Sequence, residues 1–483
     1  MESQESLKHK TALGLGWSAI DSIASQGITF IVGLVLARLL TPSEFGTIGL
    51  AMILVTLFNT IVDSGFSSAL IRKQDVQEID LNTTFIFNFV VSAILYIVCF
   101  ISAPSLSRFF HNSDLINVTR WISLVLIINA LAIIHRTLLV KKVDFKTQAI
   151  ISVSASLISG VIGIWMAYEG FGVYSLVWQQ LSRQAINTLL LWISSKWRPR
   201  LEFSKNSFTN LFSFGGKLLL SSIIDTIFNE LSVIFIGRIY TTATLGQYTR
   251  AKQFSSIFSS NVSSVIQRVT YPILSDIQDN RERLISNYRR IIKMLMLLVG
   301  LGTAVIASTS NSVILILLGP KWTEAIIYLQ LLAFVEITIP LKNFNLNLLQ
   351  VYGRSDYILV LSIIKRVIEV GALLLGLINI YWMLLGLAFA GVIGFLLNAF
   401  FTMKVSKLKV STQIMDLLPS LILSIIVGGA MYVVSLFISN IYICLIIQMI
   451  VGCVLFLCLS HLFKLSETEY LKVELKRIKN RYK

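Results

Sequence analysis

Apolar residues run through this chain in blocks of about twenty, separated by short polar connections, a length that suits helices crossing the hydrocarbon core of a bilayer. The blocks predict helical spans over 13–38, 45–66, 83–103, 115–135, 148–168, 173–194, 211–237, 248–270, 291–309, 323–349, 357–378, 382–403, 416–438 and 441–463. Basic residues fall in every second connection. With the N-terminus inside, the inner connections and the tail collect 27 of the 41 lysines and arginines, whereas the outer ones hold only Arg108 and Lys321. Positive loops stay cytoplasmic, so both termini are expected inside and the number of spans is even.

Composition sharpens this picture. Hydrophobic residues make up 55% of 483 and charged residues 14%, which excludes a water-soluble fold. A net charge of +16 would suggest nucleic acid in a soluble protein, but here most of it sits in short loops and sets topology. The polar stretch Met1 to Lys10 and the long apolar run after it do not have the form of a cleavable signal peptide. Cys99, Cys444, Cys453 and Cys458 lie within spans without CxxC spacing, so they read as packing residues, not as a disulfide framework or metal site.

The outer connections are no longer than about a dozen residues, too short to hold the acid, base or metal ligands of an outer-face ligase or glycosyltransferase. The acidic pair with metal-like spacing, Glu78 and Asp80, lies in a short inner connection and reads as solvated loop. No P-loop, HExxH or GxSxG motif is present, so the chain is not expected to hydrolyse ATP by itself, and no cofactor or metal is expected.

A shift of 200 residues places 16–46 on 216–246, pairing Gly16 with Gly216, Ser22 with Ser222, Ile23 with Ile223, Arg38 with Arg238, Thr41 with Thr241 and Gly46 with Gly246. The breaks in hydropathy coincide as well. Both copies begin after an inner connection, which gives two six-span lobes in the same orientation. The expected organisation is 1–200 (spans one to six), 201–410 (spans seven to twelve) and 411–483 (two added spans and a basic tail). The fold class is an all-α polytopic membrane protein whose lobes form a V around a central cavity.

Charges within the spans point to what that cavity holds. Twelve basic residues lie in or at the ends of spans: Arg38, Arg120, Arg183, Lys217, Arg238, Arg250, Lys252, Arg268, Lys293, Lys342, Lys365 and Arg366. Asp21, Asp63, Asp225, Glu230, Glu336 and Glu369 accompany them. A charge at mid-helix costs about 2.5–3.5 kcal/mol, so these groups are expected to face water or a partner. In span seven, Lys217, Ser221, Asp225 and Asn229 form a stripe at four-residue spacing, and Trp17, Asp21, Ser25 and Thr29 stand at the equivalent positions of span one. Two readings of Asp21 and Asp225 stay open: interhelical hydrogen bonding, or coupling to a proton or sodium ion.

Span eight carries Arg250, Lys252, Gln253, Ser256, Ser260, Ser264, Gln267 and Arg268, so its polar side is placed in a wet cavity, with snorkelling of Arg250 and Arg268 as the alternative. Gln180, Arg183, Gln184 and Asn187 share a face of span six. In span ten, Glu336, Lys342, Asn343, Asn345 and Asn347 surround Pro340. Lys365 and Glu369, four apart, are expected to pair and leave Arg366 available, while His135 is expected at the interface. Nine of the twelve embedded cations fall after residue 200. A cleft lined in this way suits an anionic, phosphate-bearing substrate and disfavours a cationic drug.

The segments Gly16-Trp17, Leu36-Ala37-Arg38-Leu39-Leu40-Thr41-Pro42-Ser43-Glu44-Phe45-Gly46 and Asp63-Ser64-Gly65-Phe66-Ser67-Ser68-Ala69-Leu70-Ile71 resemble the polysaccharide-export flippases of the multidrug/oligosaccharidyl-lipid/polysaccharide (MOP) superfamily. So do Ile236-Gly237-Arg238, Leu245-Gly246-Gln247-Tyr248 and Leu318-Gly319-Pro320-Lys321-Trp322. The resemblance implies translocation of an undecaprenyl-pyrophosphate-linked oligosaccharide from the inner to the outer leaflet of the bacterial cytoplasmic membrane, by alternating access and without ATP. Its implied partners are that lipid-linked glycan, membrane lipids, and a polysaccharide polymerase with other assembly proteins, with no nucleic acid. On this reading Arg183, Lys217, Arg250, Lys252, Arg268, Lys342 and Arg366 meet the substrate, and Asp21 and Asp225 are the ion-coupling candidates. A MATE-like exporter of small organic molecules and a non-transporting scaffold are the alternatives of other classes.

Overall fold

The computed structural model describes residues 4–63 and 65–462, with the side chains of 4–13, 15, 19, 265 and 267–269 outside that description. The helices in chain order are α1 (Gln4–Leu39), α2 (Pro42–Asp63), α3 (Phe66–Arg72), α4 (Glu78–Phe110), α5 (Leu115–Ile122), α6 (Leu124–Lys141), α7 (Phe145–Tyr168) and α8 (Val173–Ser194). They continue with α9 (Lys205–Ile239), α10 (Thr242–Asp276), α11 (Arg281–Leu317), α12 (Thr323–Val351), α13 (Ser355–Leu374), α14 (Ile380–Ser406), α15 (Val410–Phe437) and α16 (Ile441–Leu462). No strand occurs among the described residues.

Each apolar block of the sequence lies on one of these helices or on a consecutive pair, and among the described residues eleven segments are long and apolar enough to cross a membrane by length and composition. The helices outside that set are α8, α10 and α13, all of them long. The three long ones carry Arg183, the polar run Arg250 to Arg268, and Lys365, Arg366 and Glu369, and this charge lowers their hydropathy.

The second block divides between α2 and α3. Gly65 adopts a left-handed φ of 67°, and a Cβ there would stand 2.5 Å from the carbonyl oxygen of Gly215, so the turn into α3 needs glycine for both conformation and approach. The fourth block divides at Ser123, whose hydroxyl and N–H both bond the Thr119 carbonyl.

The chain forms two compact units, 1–246 and 247–483. In the first, α7 packs between α1 and α8, α6 packs on α4 and α8, and α9 lies on α2, α3 and α4. The repeat assigns α9 to the second copy, yet it is part of this first compact unit. In the second unit α11 is central, packed on α12, α15 and α16, while α14 joins α12 to α13.

The added helices α15 and α16 dock through polar contacts as well as apolar ones. Gln448 donates to the carbonyls of Ser308 (3.0 Å) and Met431 (2.9 Å), all buried. Asp416, an acid absent from the sequence-based set, is buried on α15 and held by Arg289 at 2.6 Å and Lys293 at 3.3 Å from α11.

Two expectations are corrected in the first unit. Asp80 is not solvated. It is buried as the N3 residue of a capping box that starts α4, paired with Lys73 at 2.6 Å and accepting from the Ser207 hydroxyl of α9. That role keeps it from a metal, and no metal-binding group of acids, histidines and cysteines occurs among the described residues. His135 is not interfacial: it is fully buried, with ring centroids 4.8 Å from Trp192 and 5.3 Å from Trp197.

Candidate functional site

The embedded charges gather most densely in the second unit. Glu336 and Lys342 lie on α12, Lys365, Arg366 and Glu369 on α13, and Lys252 on α10. Glu336 is within electrostatic reach of Lys252 and Lys342, and Lys342, Lys365, Arg366 and Glu369 act on one another. Four cations and two carboxylates leave the group net positive. Glu336 accepts from the Ser259 hydroxyl of α10.

Glu369 pairs with Arg366 at 3.0 Å, three residues away, and not with Lys365 as the four-residue spacing suggested. Both spacings bring side chains together on a helix, and the longer guanidinium makes the contact. Gly394 of α14 makes room for the lysines: a Cβ there would lie 3.2 Å from the Lys342 Cδ and 3.4 Å from the Lys365 Cδ. Asn398 donates to the Lys342 carbonyl at 2.9 Å, tying the same turn of α12 to α14.

Along α10, Arg250 is half-buried and its guanidinium donates to Gln253 at 2.5 Å. The serines of this helix mostly donate to carbonyls three residues back, as Ser255 does to Lys252 and Ser264 to Asn261, so they meet their hydrogen-bonding needs locally. Arg268 is on this helix, but its side chain lies outside the described residues.

In the first unit Asp21 and Arg183 belong to one polar group. Asp21 accepts from Ser25 at 3.1 Å and from Ser152 of α7, and it attracts the Arg183 guanidinium of α8. Beside them, Gln184 donates to Asn129 (2.9 Å) and Asn129 to Asn59 (3.0 Å), a ladder of amides linking α8, α6 and α2. Asn59, Asn129 and Ser152 were missed from sequence, where Asn129 is a lone polar residue in an apolar block and the other two stand among threonines and serines. The stripe on α9 is a single exposed face comprising Lys217, Ser221, Asp225 and Asn229. Its repeat counterpart on α1 is packed: Ser25 is buried and Trp17, Asp21 and Thr29 are half-buried. Equivalent positions in the repeat therefore occupy different environments.

The paired glycines of the repeat meet. A Cβ on Gly46 would lie 1.8 Å from the Thr242 carbonyl oxygen, and one on Gly246 would lie 1.8 Å from the Pro42 carbonyl oxygen. The first turns of α2 and α10 thus cross backbone against backbone, with the Ser43 and Thr242 hydroxyls 2.8 Å apart. In the second unit Gln247, almost fully buried, donates to the Lys321 carbonyl at 2.7 Å and accepts from the Ala325 N–H at 3.0 Å. It joins two sequence motifs that lie seventy residues apart, Leu245 to Tyr248 and Leu318 to Trp322.

Comparison with known proteins agrees with this architecture. The chain is 25% identical over 373 residues to the lipopolysaccharide biosynthesis protein WzxC of Escherichia coli (strain K12), covering 77% of this chain and 76% of that one. It is 24% identical over 440 residues to the teichuronic acid biosynthesis protein TuaB of Bacillus subtilis (strain 168), covering 88% of each. Its fold matches the lipid II flippase MurJ in an inward closed conformation with a TM-score of 0.72 at 16% identity, over 92% of this chain and 98% of that one. The family model described as "Polysaccharide biosynthesis protein" matches residues 35–327, more than half of the sequence. The chain therefore belongs to the polysaccharide biosynthesis protein family.

Proposed function

We propose that this protein is a flippase that carries an undecaprenyl-pyrophosphate-linked oligosaccharide from the inner to the outer leaflet of the bacterial cytoplasmic membrane. In this reading fourteen helices cross the bilayer as two lobes of six, 1–200 and 201–410, with two added spans in 411–483 and both termini cytoplasmic. The polar helices α8, α10 and α13 then span as well, shielded from lipid by the neighbours and water their charges require. The protein does no covalent chemistry. It supplies a route for a headgroup that cannot cross hydrocarbon while the polyprenyl tail stays in lipid.

The observation that carries the reading is the net positive group on α10, α12 and α13. Lys252, Lys342 and Arg366, with Arg250, Arg268, Arg183 and Lys217, are assigned to the substrate. A pyrophosphate offers only acceptor oxygens, and ammonium and guanidinium groups are the side chains that meet several of them with charge-assisted hydrogen bonds. Asp21 and Asp225 are assigned to ion coupling, Asp21 through its electrostatic attraction for Arg183. Separation of the α2 and α10 first turns opens the outer side, and their crossing closes it. Relatives named for lipopolysaccharide and teichuronic acid biosynthesis support a glycan precursor as cargo.

The test is leaflet-resolved labelling of lipid-linked glycan in cells with and without the protein. Accumulation in the inner leaflet on its loss is expected. Undiminished appearance of the glycan outside, or loss of dye efflux in its place, would overturn the assignment in favour of a small-molecule exporter.

A further inference from the structure

One face of α12 is not used by the charged group. Asn343, Leu346, Asn347 and Gln350 stand at i, i+3, i+4 and i+7, and with Tyr271 of α10 they line a cavity of 270 Å³ that carries no charged side chain. Three carboxamides along one face stand out on α12, a helix that is otherwise long and apolar enough to cross a membrane, and Tyr271 adds a phenol from α10. Of the amides on this helix, Asn345 accepts from the buried Tyr288 hydroxyl, and Asn347, within the lining, donates to Thr270 at 3.0 Å. Among the described residues, the side-chain amides of Asn343 and Gln350 and the Tyr271 hydroxyl make no hydrogen bond within the protein. The cavity thus presents two amides without a protein partner and an exposed aromatic ring, and Asn343 is one residue along the helix from Lys342.

We propose that this cavity is the subsite for the lipid-proximal sugar, the ring bonded directly to the pyrophosphate. The inference rests on the flippase reading above. A carboxamide donates through its nitrogen and accepts through its oxygen, which matches a pair of neighbouring sugar hydroxyls or an acetamido group. A phosphate, which only accepts, is served by the cations instead. The exposed ring of Tyr271 gives the apolar face of a pyranose a surface to lie on. The volume falls below the roughly 300–1,000 Å³ of sites for drug-sized ligands, so it takes a single ring and leaves the rest of the repeat unit outside. Adjacent side chains on α12 then divide the headgroup: Lys342 holds phosphate, and Asn343 with Gln350 holds the first sugar.

The test uses the full chain in lipid nanodiscs and three probes: undecaprenyl pyrophosphate, undecaprenyl-pyrophosphoryl-N-acetylglucosamine and undecaprenyl-pyrophosphoryl-galactose. Wild type is expected to bind at least one glycosylated lipid ten times more tightly than the bare lipid. Asn343→Ala with Gln350→Ala should bring all three within twofold while leaving affinity for the bare lipid in place. Leu346→Trp fills the cavity with the amides intact and should remove the preference in the same way, a control for loss of fold. Equal binding of the three lipids by wild type, or preference retained in both variants, overturns the subsite and leaves the flippase reading standing. Binding of none of the three would overturn that reading itself.

Discussion

Adding one methyl group at the crossing of α2 and α10 tests whether the glycines of the repeat form a closure that opens. In Gly46→Ala the new carbon would stand 1.8 Å from the Thr242 carbonyl oxygen, and in Gly246→Ala 1.8 Å from that of Pro42. Close carbon–oxygen contacts lie at about 3.3–3.6 Å, so the two turns must part by roughly 1.5 Å. The bond between the Ser43 and Thr242 hydroxyls, 2.8 Å in length, does not survive that separation. Overpacking of this kind costs about 1–3 kcal/mol. At about 1.4 kcal/mol per tenfold, the closed contact loses roughly five- to 150-fold in population. The assay is disulfide formation between cysteines placed at Ser43 and Thr242, in a background where Cys99, Cys444, Cys453 and Cys458 are serine. Either glycine variant should lower cross-linking at least fivefold, and the double variant should add little because both act on one contact. Unchanged cross-linking, or an effect from one glycine and none from its counterpart, refutes the reasoning.

Gln247→Ala leaves the Lys321 carbonyl and the Ala325 N–H buried and unpaired, so unfolding in detergent should become easier by about 1–3 kcal/mol, read from a thermal scan. Asp416→Asn removes the charge that Arg289 and Lys293 share, and since Arg289 is 41% exposed the cost is about 1–3 kcal/mol, not the larger figure for a fully buried pair. Limited proteolysis should then cut between α14 and α15 sooner than in wild type; an unchanged rate would show that the apolar contacts of α11 alone hold the added helices. Asp21→Asn keeps an acceptor for Ser25 and Ser152 while removing the carboxylate charge. Transport in proteoliposomes should lose its dependence on an imposed proton or sodium gradient, and retained dependence would return Asp21 to a purely structural role.

The long elements were legible because span length and apolar run share one cause, the thickness of the bilayer. The charged group on α10, α12 and α13 left a trace as well, since a lysine or arginine in an apolar block has few reasons to be there. Tertiary burial was not. Asp80 reads as loop because nothing in its neighbourhood announces that Ser207 will close over it, and His135 reads as interfacial because its tryptophans are about sixty residues distant. The Arg366–Glu369 pair shows the limit of spacing, as i+3 and i+4 are both allowed and only side-chain reach decides. Asp416 escaped attention at the edge of its block, although an acid there needs a partner. The repeat located the glycines that meet, Gly46 and Gly246, yet it misled on environment, because the counterpart of the exposed α9 stripe is packed against α7. The cavity beside Lys342 needed Tyr271 from a second helix, and no pattern within α12 reveals that.

The account depends on the second unit's cations holding a diphosphate. The direct measurement is the affinity of nanodisc-embedded protein for undecaprenyl pyrophosphate across a salt series, with Lys252, Lys342, Lys365 and Arg366 intact and with all four changed to glutamine. Charge-assisted hydrogen bonds are worth about 1.5–3 kcal/mol each, and partial solvation with non-additivity reduces the sum, so a loss of at least a hundredfold and a flatter salt dependence are expected. Equal affinity and an equal salt slope in the two proteins, with the variant still folded, would contradict it.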